Sequence, residues 1–181
     1  VGTDFNFGHE KRGNHQMLEK YAAKYGYTVD VVEKAYYKDR EISSTYIRDL
    51  LIDGNVPLAN KLLGYPYEIT SVVEHGQQLG RTLGFPTMNL ASQEKKILPK
   101  YGVYACRVLV DGVWYGGVGN AGVKPTVAQE KRRLFEVDVY GYEGDAYGKT
   151  ATVQILEFER PETKFHSVEE LKDRVMKDMR Y

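Results

Sequence analysis

Residues 80 to 90, GRTLGFPTMNL, combine backbone freedom with polar side chains. Gly80 and Gly84 allow the backbone to approach a ligand closely, and turn-linked N–H groups form a concavity that binds anions. Thr87 and Asn89 are two residues apart, so on a strand their side chains project from one face. A hydroxyl and an amide oxygen suit Mg²⁺ that is otherwise held by water and phosphates. A solvent-facing Thr-Asn pair is the alternative, and the spacing alone favours it.

A second polar face lies in RRLFEVDVYG, where Phe135, Val137 and Val139 alternate with Glu136 and Asp138. The alternation predicts a strand with one apolar face and one face that carries two carboxylates. A carboxylate on the ligand side of a barrel could accept a proton from a substrate hydroxyl. Most acidic residues on strands are only solvated, so the alternation by itself does not distinguish the two roles.

The segment GGVGNAG has the G-x-G-x-x-G spacing of dinucleotide-binding folds, in Gly117, Gly119 and Gly122. That fingerprint requires a helix directly after the glycines, because the helix N-terminus meets the pyrophosphate. Here VKPT follows, and Pro125 with its neighbours opens no evident helix. We therefore expect a glycine-rich loop at the rim of a barrel and no dinucleotide site.

The elements that would position these residues differ between the two halves of the chain. Residues 1 to 64 have an α/β pattern. Caps and periodicity predict a helix from the N-cap Asn14 to Gly26, a strand over 27–37, a helix capped by Ser43 or Ser44 and closed by Gly54, and a short helix with Pro57 in its first turn.

From about residue 66 the hydrophobic period becomes that of strands. Five segments alternate, namely YEITSVVE, YGVYACRVLVDG, VWYGGVG, RRLFEVDVYG and TATVQILEFE, and a further extended segment follows Pro86. Asp111-Gly112 and Glu143-Gly144 are placed where hairpin turns are expected. Ser167 and Glu170 form a capping box that predicts a C-terminal helix. Five or six antiparallel strands of this spacing suggest a small closed barrel.

The composition limits the possible partners and the location of the protein. The 181 residues suit one domain, or one domain with a smaller companion, and 25 basic residues balance 25 acidic ones. This zero net charge disfavours nucleic acid as a partner. There is neither a signal peptide nor an apolar run of roughly 20 residues, so we expect no membrane contact and a cytoplasmic location. The single cysteine, Cys106, suits a reducing compartment, while the oligomeric state is not indicated.

Five blocks of sequence occur in the order seen in riboflavin kinases: GRTLGFPTMNL, YGVYACRV, GGVGNAGVKPT, FEVDVYGYEGDAYGK and ERPETKFHSVEEL. From residue 66 to 181 the chain resembles the kinase module of the bifunctional bacterial enzymes that make FMN and then FAD. VGTDFNFG and ISSTYIRDLL resemble the later part of their FMN adenylyltransferase module, which belongs to the nucleotidylyltransferase superfamily. The resemblance implies a partial Rossmann-like α/β segment over 1–64 and, over 65–181, a six-stranded antiparallel barrel with a C-terminal helix.

The same resemblance implies ATP-dependent phosphorylation of riboflavin at its 5′-hydroxyl, giving FMN, with Mg²⁺ as the metal. Glu136 would be the catalytic base, and Thr87 and Asn89 would bind Mg²⁺ and ATP. The other implied contacts are Gly80, Arg81, Thr82, Gly84 and Pro86 for ATP, and Arg160, Glu162 and Phe165 for the flavin. Two positions depart from the family pattern: Met88 replaces an alanine, and Asp138 stands where histidine is common.

In the first half, the resemblance implies a phosphate-binding remnant formed by Asp4, Ser43, Ser44, Thr45 and Arg48. The histidine motif that adenylyl transfer needs does not occur in the chain. We therefore expect a fragment of a longer enzyme, whose first half is inert. Two alternatives remain open at this stage: a flavin- or nucleotide-binding barrel without activity, and a nucleic-acid-binding barrel, which the 12% aromatic content favours and the zero charge disfavours.

Overall fold

The fold is given by a computed structural model, which describes residues 1–75, 87–91, 96–125 and 131–163. The chain divides into two compact units, Val1–Tyr46 and Ile47–Tyr181. The domain boundary expected between residues 64 and 65 stays a prediction.

The first unit contains the α-helix α1, a short 3-10 helix at His9–Lys11 and four very short strands. Its elements are β1 (Asn6–Phe7), β2 (Gly13–Asn14), α1 (His15–Tyr25), β3 (Tyr36–Tyr37) and β4 (Arg40–Glu41). β1 pairs with β2, and β3 pairs with β4, both antiparallel. The predicted ends of α1 are confirmed, because the Asn14 side chain accepts a hydrogen bond from Met17 N at 2.9 Å and Gly26 adopts a φ of 69°.

The strand predicted over residues 27–37 is largely wrong. In that stretch the structure has an isolated bridge between Val32 and Gly2, and the two-residue strand β3. β-branched residues form a strand only where a neighbouring strand supplies hydrogen-bond partners. Within this unit such partners are limited to that bridge and to β4.

Two helices, α2 (Ser44–Asp53) and α3 (Val56–Leu63), follow as predicted. Ser43 caps α2, since its hydroxyl accepts a hydrogen bond from Tyr46 N at 3.2 Å. The α2 helix is closed at Gly54, which adopts a φ of 83°. Pro57 lies in the first turn of α3, and Asn55 caps that helix.

Six strands form a closed antiparallel barrel, which confirms the predicted fold. They are β5 (Tyr67–Glu74), β6 (Thr87–Ala91), β7 (Gly102–Val110), β8 (Val113–Pro125), β9 (Lys131–Val139) and β10 (Thr150–Arg160). Their order around the barrel is β10-β5-β6-β9-β8-β7. Closure gives each of the six strands a neighbour on both sides.

The barrel interior is filled by every second residue of the strands. Phe135 and Tyr104 are fully buried there, with ring centroids 6.3 Å apart. Leu90 on β6 and Val137 on β9 are also fully buried. The residues between these positions therefore project from the outer face of the barrel.

The helix α3 packs on the barrel through apolar side chains and one asparagine. Val56 and Ala59 are fully buried. The side chain of Asn60 donates to Ile155 O at 2.9 Å, and its Oδ1 accepts from Tyr67 N at 2.7 Å. One amide thus satisfies backbone groups of both the first and the last strand of the barrel.

One of the two predicted hairpin turns is confirmed. Asp111 and Gly112 join β7 to β8 with φ values of 51° and 78°. The hairpin predicted at Glu143-Gly144 is wrong, because β9 pairs with β6 and β8 while β10 pairs with β5 and β7. Strand order, which is a long-range property, decides that β9 and β10 are not neighbours.

The glycine-rich segment forms part of strand β8, so the predicted rim loop is wrong. A Cβ atom at Gly119 would lie 2.4 Å from the Phe135 ring, and one at Gly117 would lie 2.5 Å from the carbonyl oxygen of Asp138. These glycines therefore provide space in a tightly packed strand, and the rejection of a dinucleotide loop is upheld. The helix predicted from Ser167 lies outside the described residues.

Candidate active site on the outer face of the barrel

The two polar motifs of the sequence lie opposite each other on neighbouring strands. On β6 and β9, Asn89 is the Cα partner of Glu136, and Thr87 is the partner of Asp138. Directly opposite residues of an antiparallel pair have Cβ atoms about 4.5–5.5 Å apart. All four side chains lie on the outer face, so the pairing brings the predicted metal ligands next to the predicted base.

Glu136 also has an asparagine on its other side. Asn120 on β8 is its Cα partner there, and the Asn120 amide donates to Glu162 Oε1 at 2.9 Å. The row Asn89, Glu136, Asn120 thus crosses three strands and ends at a predicted flavin contact. Sequence reasoning missed Asn120, although it stands in GGVGNAG, because interpretation of that segment as a loop hid its strand register.

Two residues of this face are buried despite being polar. Asn89 is 5% exposed and Asp138 is 7% exposed. Among the described residues, Asn89 Oδ1, Asn120 Oδ1 and Asp138 Oδ2 are buried and have no hydrogen-bond partner. Burial raises the pKa of Asp138 to about 6, against the opposing effect of a backbone hydrogen bond at Val139. This part of the barrel surface is therefore shielded from water and rich in unsatisfied oxygen acceptors.

Asn89 Oδ1 has no hydrogen-bond partner among the described residues, so its lone pairs are available to bind a metal ion. Thr87, directly opposite Asp138, adds a hydroxyl on the same face. A hydroxyl and an amide oxygen fit Mg²⁺ that takes its other ligands from water and phosphates. No cluster of three or more His, Cys, Asp or Glu forms a metal site in the described part of the chain, so a site built from those four residue types alone is not indicated there.

The predicted flavin contacts lie at the end of β10 and just after it. Arg160 is the Cα partner of Val103 on β7, which is in turn the partner of Asn120. Glu162 accepts a hydrogen bond from Asn120, and a Cβ atom at Gly122 would lie 2.6 Å from its Oε1. Six other predicted site residues lie outside the described residues: Gly80, Arg81, Thr82, Gly84, Pro86 and Phe165.

The residues assigned to the adenylyltransferase remnant have varied surroundings. Asp4 forms an ion pair with Lys34 at 2.8 Å, and the hydrogen bond from Lys34 lowers the pKa of Asp4. Ser43 caps α2, while Ser44, Thr45 and Arg48 are exposed on that helix. Their predicted role in phosphate binding stays a prediction.

Comparison with known proteins identifies the family. The family described as "Riboflavin kinase" (flavokinase) matches residues 63–181. The chain belongs to the riboflavin kinase family. A second family, described as "FAD synthetase", matches residues 1–46. The resemblance deduced from the sequence is therefore confirmed in both halves.

Curated relatives carry the name "Bifunctional riboflavin kinase/FMN adenylyltransferase". The protein of Bacillus subtilis is 39% identical over 181 residues, which cover 98% of this chain and 57% of that protein. The protein of Pseudomonas fluorescens is 36% identical, with coverages of 99% and 57%. The chain thus spans little more than half the length of the curated relatives that it matches.

A solved structure from Streptococcus pneumoniae, titled as a macrolide-efflux protein, is similar to the chain with a TM-score of 0.84 and 36% identity. The match covers 99% of this chain and 57% of that one. In the described residues, no helix has the length and apolar character needed to cross a membrane.

Proposed function

We propose that the chain is a riboflavin kinase, which transfers the γ-phosphate of ATP to the 5′-hydroxyl of riboflavin and releases FMN and ADP. The family match supports this activity over its non-catalytic alternative, a barrel that only binds flavin or nucleotide. The substrates are small molecules, and the single buried cysteine is compatible with the cytoplasm as the site of action.

The observation that carries the proposal is the register of β6, β9 and β8. It places Glu136 between Asn89 and Asn120 on the outer face of the barrel. In the proposed reaction the Glu136 carboxylate accepts the proton of the riboflavin hydroxyl as the oxygen attacks phosphorus. The amides of Asn89 and Asn120 would flank the carboxylate and help to position it for the substrate.

Phosphoryl transfer depends mainly on positioning and charge neutralisation. Mg²⁺, when bound, would neutralise charge on the phosphates. Thr87 and Asn89 would hold it through their side-chain oxygens, two residues from one another on β6. Since these ligands lie on the same outer face as Glu136, with Asn89 directly opposite it on the neighbouring strand, the phosphates would lie beside Glu136.

The Glu162 carboxylate, which accepts a hydrogen bond from Asn120, would contact the flavin on the β8 side of Glu136. Arg160, at the end of β10, would lie on the same side. These proposed roles are supported by the hydrogen bond from Asn120 to Glu162, which joins the residues after β10 to the row Asn89, Glu136, Asn120.

The substitution Glu136→Gln tests the proposed base. It keeps the size of the side chain and removes its basicity, so we expect kcat to fall roughly 10²-fold or more while riboflavin still binds. Glu157→Gln, an exposed carboxylate on β10, is the matched control and should retain normal turnover. FMN formation with ATP and Mg²⁺ is followed by chromatography. Near-normal turnover of Glu136→Gln would remove Glu136 from the role of base.

Thr87→Ala and Asn89→Ala test the proposed metal ligands. Each should raise the concentrations of Mg²⁺ and ATP needed for half-maximal rate, while riboflavin binding, measured by quenching of flavin fluorescence, changes little. If the Mg²⁺ and ATP dependence of both variants equalled that of the wild type, the pair would be ordinary strand surface.

The match to FAD synthetase supports a second proposal, which concerns a longer protein. Within a chain of the relatives' length, residues 1–46 would contribute to the adenylylation of FMN to FAD. The 181 residues contain Ser43, Ser44, Thr45 and Arg48 but no His-x-Gly-His motif. Loss of one preorganised donor from such a site typically costs about 10²–10³ in rate. We therefore expect this chain to accumulate FMN without FAD. Steady FAD formation by a chain whose intact mass has been verified would contradict that expectation.

A further inference from the structure

Two buried oxygen atoms without partners lie on adjacent strands of the barrel. Asp138 Oδ2 on β9 and Asn89 Oδ1 on β6 both lack a hydrogen-bond partner among the described residues. Asp138 is directly opposite Thr87, and Asn89 is directly opposite Glu136. Asn89 and Asp138 are therefore diagonal neighbours. Diagonal neighbours of this kind are about 7–8 Å apart, within reach of side chains that converge on one small ligand.

A buried carboxylate oxygen without a partner is costly unless something compensates for it. Removing such a group from water costs several times more than removing a neutral amide. In the described part of the chain, no ion pair includes Asp138. Asn89 is even less exposed than Asp138, so it adds a second unsatisfied acceptor and no compensating charge.

Oxygen acceptors on one buried face, with a carboxylate among them, are the surroundings that a small divalent cation prefers. Asp138 supplies the carboxylate, Asn89 the amide oxygen and Thr87 the hydroxyl. Mg²⁺ is usually bound in proteins by one or two carboxylates together with phosphates and water. The pair Thr87 and Asn89 has no carboxylate of its own, and Asp138 is placed to provide it.

We propose that Asp138 is a third protein ligand for the divalent cation, and that with it the side chains of Thr87 and Asn89 hold the ion before nucleotide arrives. This inference rests on the proposed function, in which Thr87 and Asn89 face the phosphates. It assigns to Asp138 a role separate from that of Glu136, which lies two residues earlier on the same face and would act on the riboflavin hydroxyl.

Binding of Mn²⁺ alone tests this proposal, because it needs neither nucleotide nor turnover. The loss of the free Mn²⁺ signal in electron paramagnetic resonance gives the dissociation constant for the whole chain. Asp138→Asn keeps the shape of the side chain and removes its charge, and we expect Mn²⁺ affinity to fall at least about 10-fold. Glu157→Gln removes one exposed charge on β10 and should change the affinity less than about 2-fold.

A second measurement separates this inference from the kinase proposal. In FMN formation, Asp138→Asn should raise the Mg²⁺ concentration for half-maximal rate while kcat at saturating Mg²⁺ changes much less. Weaker Mn²⁺ binding in Asp138→Asn supports the inference even if the chain proved inactive as a kinase. Equal Mn²⁺ affinity of Asp138→Asn and the wild type, or absence of saturable Mn²⁺ binding in a folded, active wild type, would overturn it. Thermal unfolding of each variant verifies that it is folded.

Discussion

The substitution Asn60→Ala should strongly destabilise the barrel unit, although Asn60 lies on a helix outside the barrel. Its amide makes two hydrogen bonds to backbone groups, at 2.9 Å to Ile155 O and at 2.7 Å from Tyr67 N. Ile155 and Tyr67 are Cα partners at the end of the β5–β10 ladder. Alanine would leave both groups without a partner where helix α3 covers the strands.

The magnitude follows from these two bonds. A backbone group left unsatisfied on burial costs about 1–3 kcal/mol, and Tyr67 is only half-buried, so we expect a loss of about 2–4 kcal/mol in the free energy of unfolding. For a chain of this size, each kcal/mol lowers Tm by roughly 2–4 °C. Asn60→Ala should therefore lower Tm by roughly 5–15 °C.

The matched control is Asn55→Ala, at the N-cap of the same helix. Asn55 makes a single cap bond to Leu58 N at 3.4 Å, and loss of an N-cap typically costs about 1 kcal/mol. Both variants are compared by calorimetry and by far-ultraviolet circular dichroism. If Asn60→Ala were no more destabilising than Asn55→Ala, the contribution of α3 to the barrel would not depend on this amide.

Three further outcomes are expected. Gly119→Ala should lower the free energy of unfolding in urea by about 1–3 kcal/mol, since its Cβ would lie 2.4 Å from Phe135. Gly116→Ala should lower it less, because the atom nearest to its Cβ would be 3.3 Å away. Equal losses in the two variants would contradict the tight packing at Gly119. Cys106 is 4% exposed and burial raises the pKa of its thiol, so a disulfide reagent should react rapidly only after denaturation, and rapid reaction of the native chain would refute its burial. Burial raises the pKa of Asp138 to about 6, above its ordinary value of 3.8, so its ionised form destabilises the fold above pH 6 and the penalty disappears below about pH 4. One pKa unit corresponds to about 1.4 kcal/mol. In metal-free buffer, Asp138→Asn should therefore be more stable than the wild type by up to about 3 kcal/mol at pH 7.5 and by little at pH 4. The same difference in stability at both pH values would contradict this expectation.

Local chemistry in the sequence determined the caps, the faces and one turn. Asn14 and Gly26 bound α1 because a side-chain acceptor and a left-handed glycine satisfy backbone groups that any isolated helix leaves open. Asp111 and Gly112 form the tight hairpin turn because both adopt positive φ. Likewise, the alternation around Glu136 determines which side chains face the interior, since side chains alternate across any strand. The resemblance carried by five ordered blocks of sequence was also sufficient to predict the fold and the family.

Only the tertiary structure decided which strands are neighbours. Periodicity assigns a side chain to a face but not to a partner, and so the sequence placed a hairpin at Glu143-Gly144 and a loop at Gly117. The closed order of the barrel places β9 between β6 and β8, which brings Asn89 and Asn120 to either side of Glu136 from segments far apart in the chain. The burial of Asp138 beside Thr87 likewise depends on tertiary packing. Register and burial are properties of pairs and layers, and a local pattern contains neither.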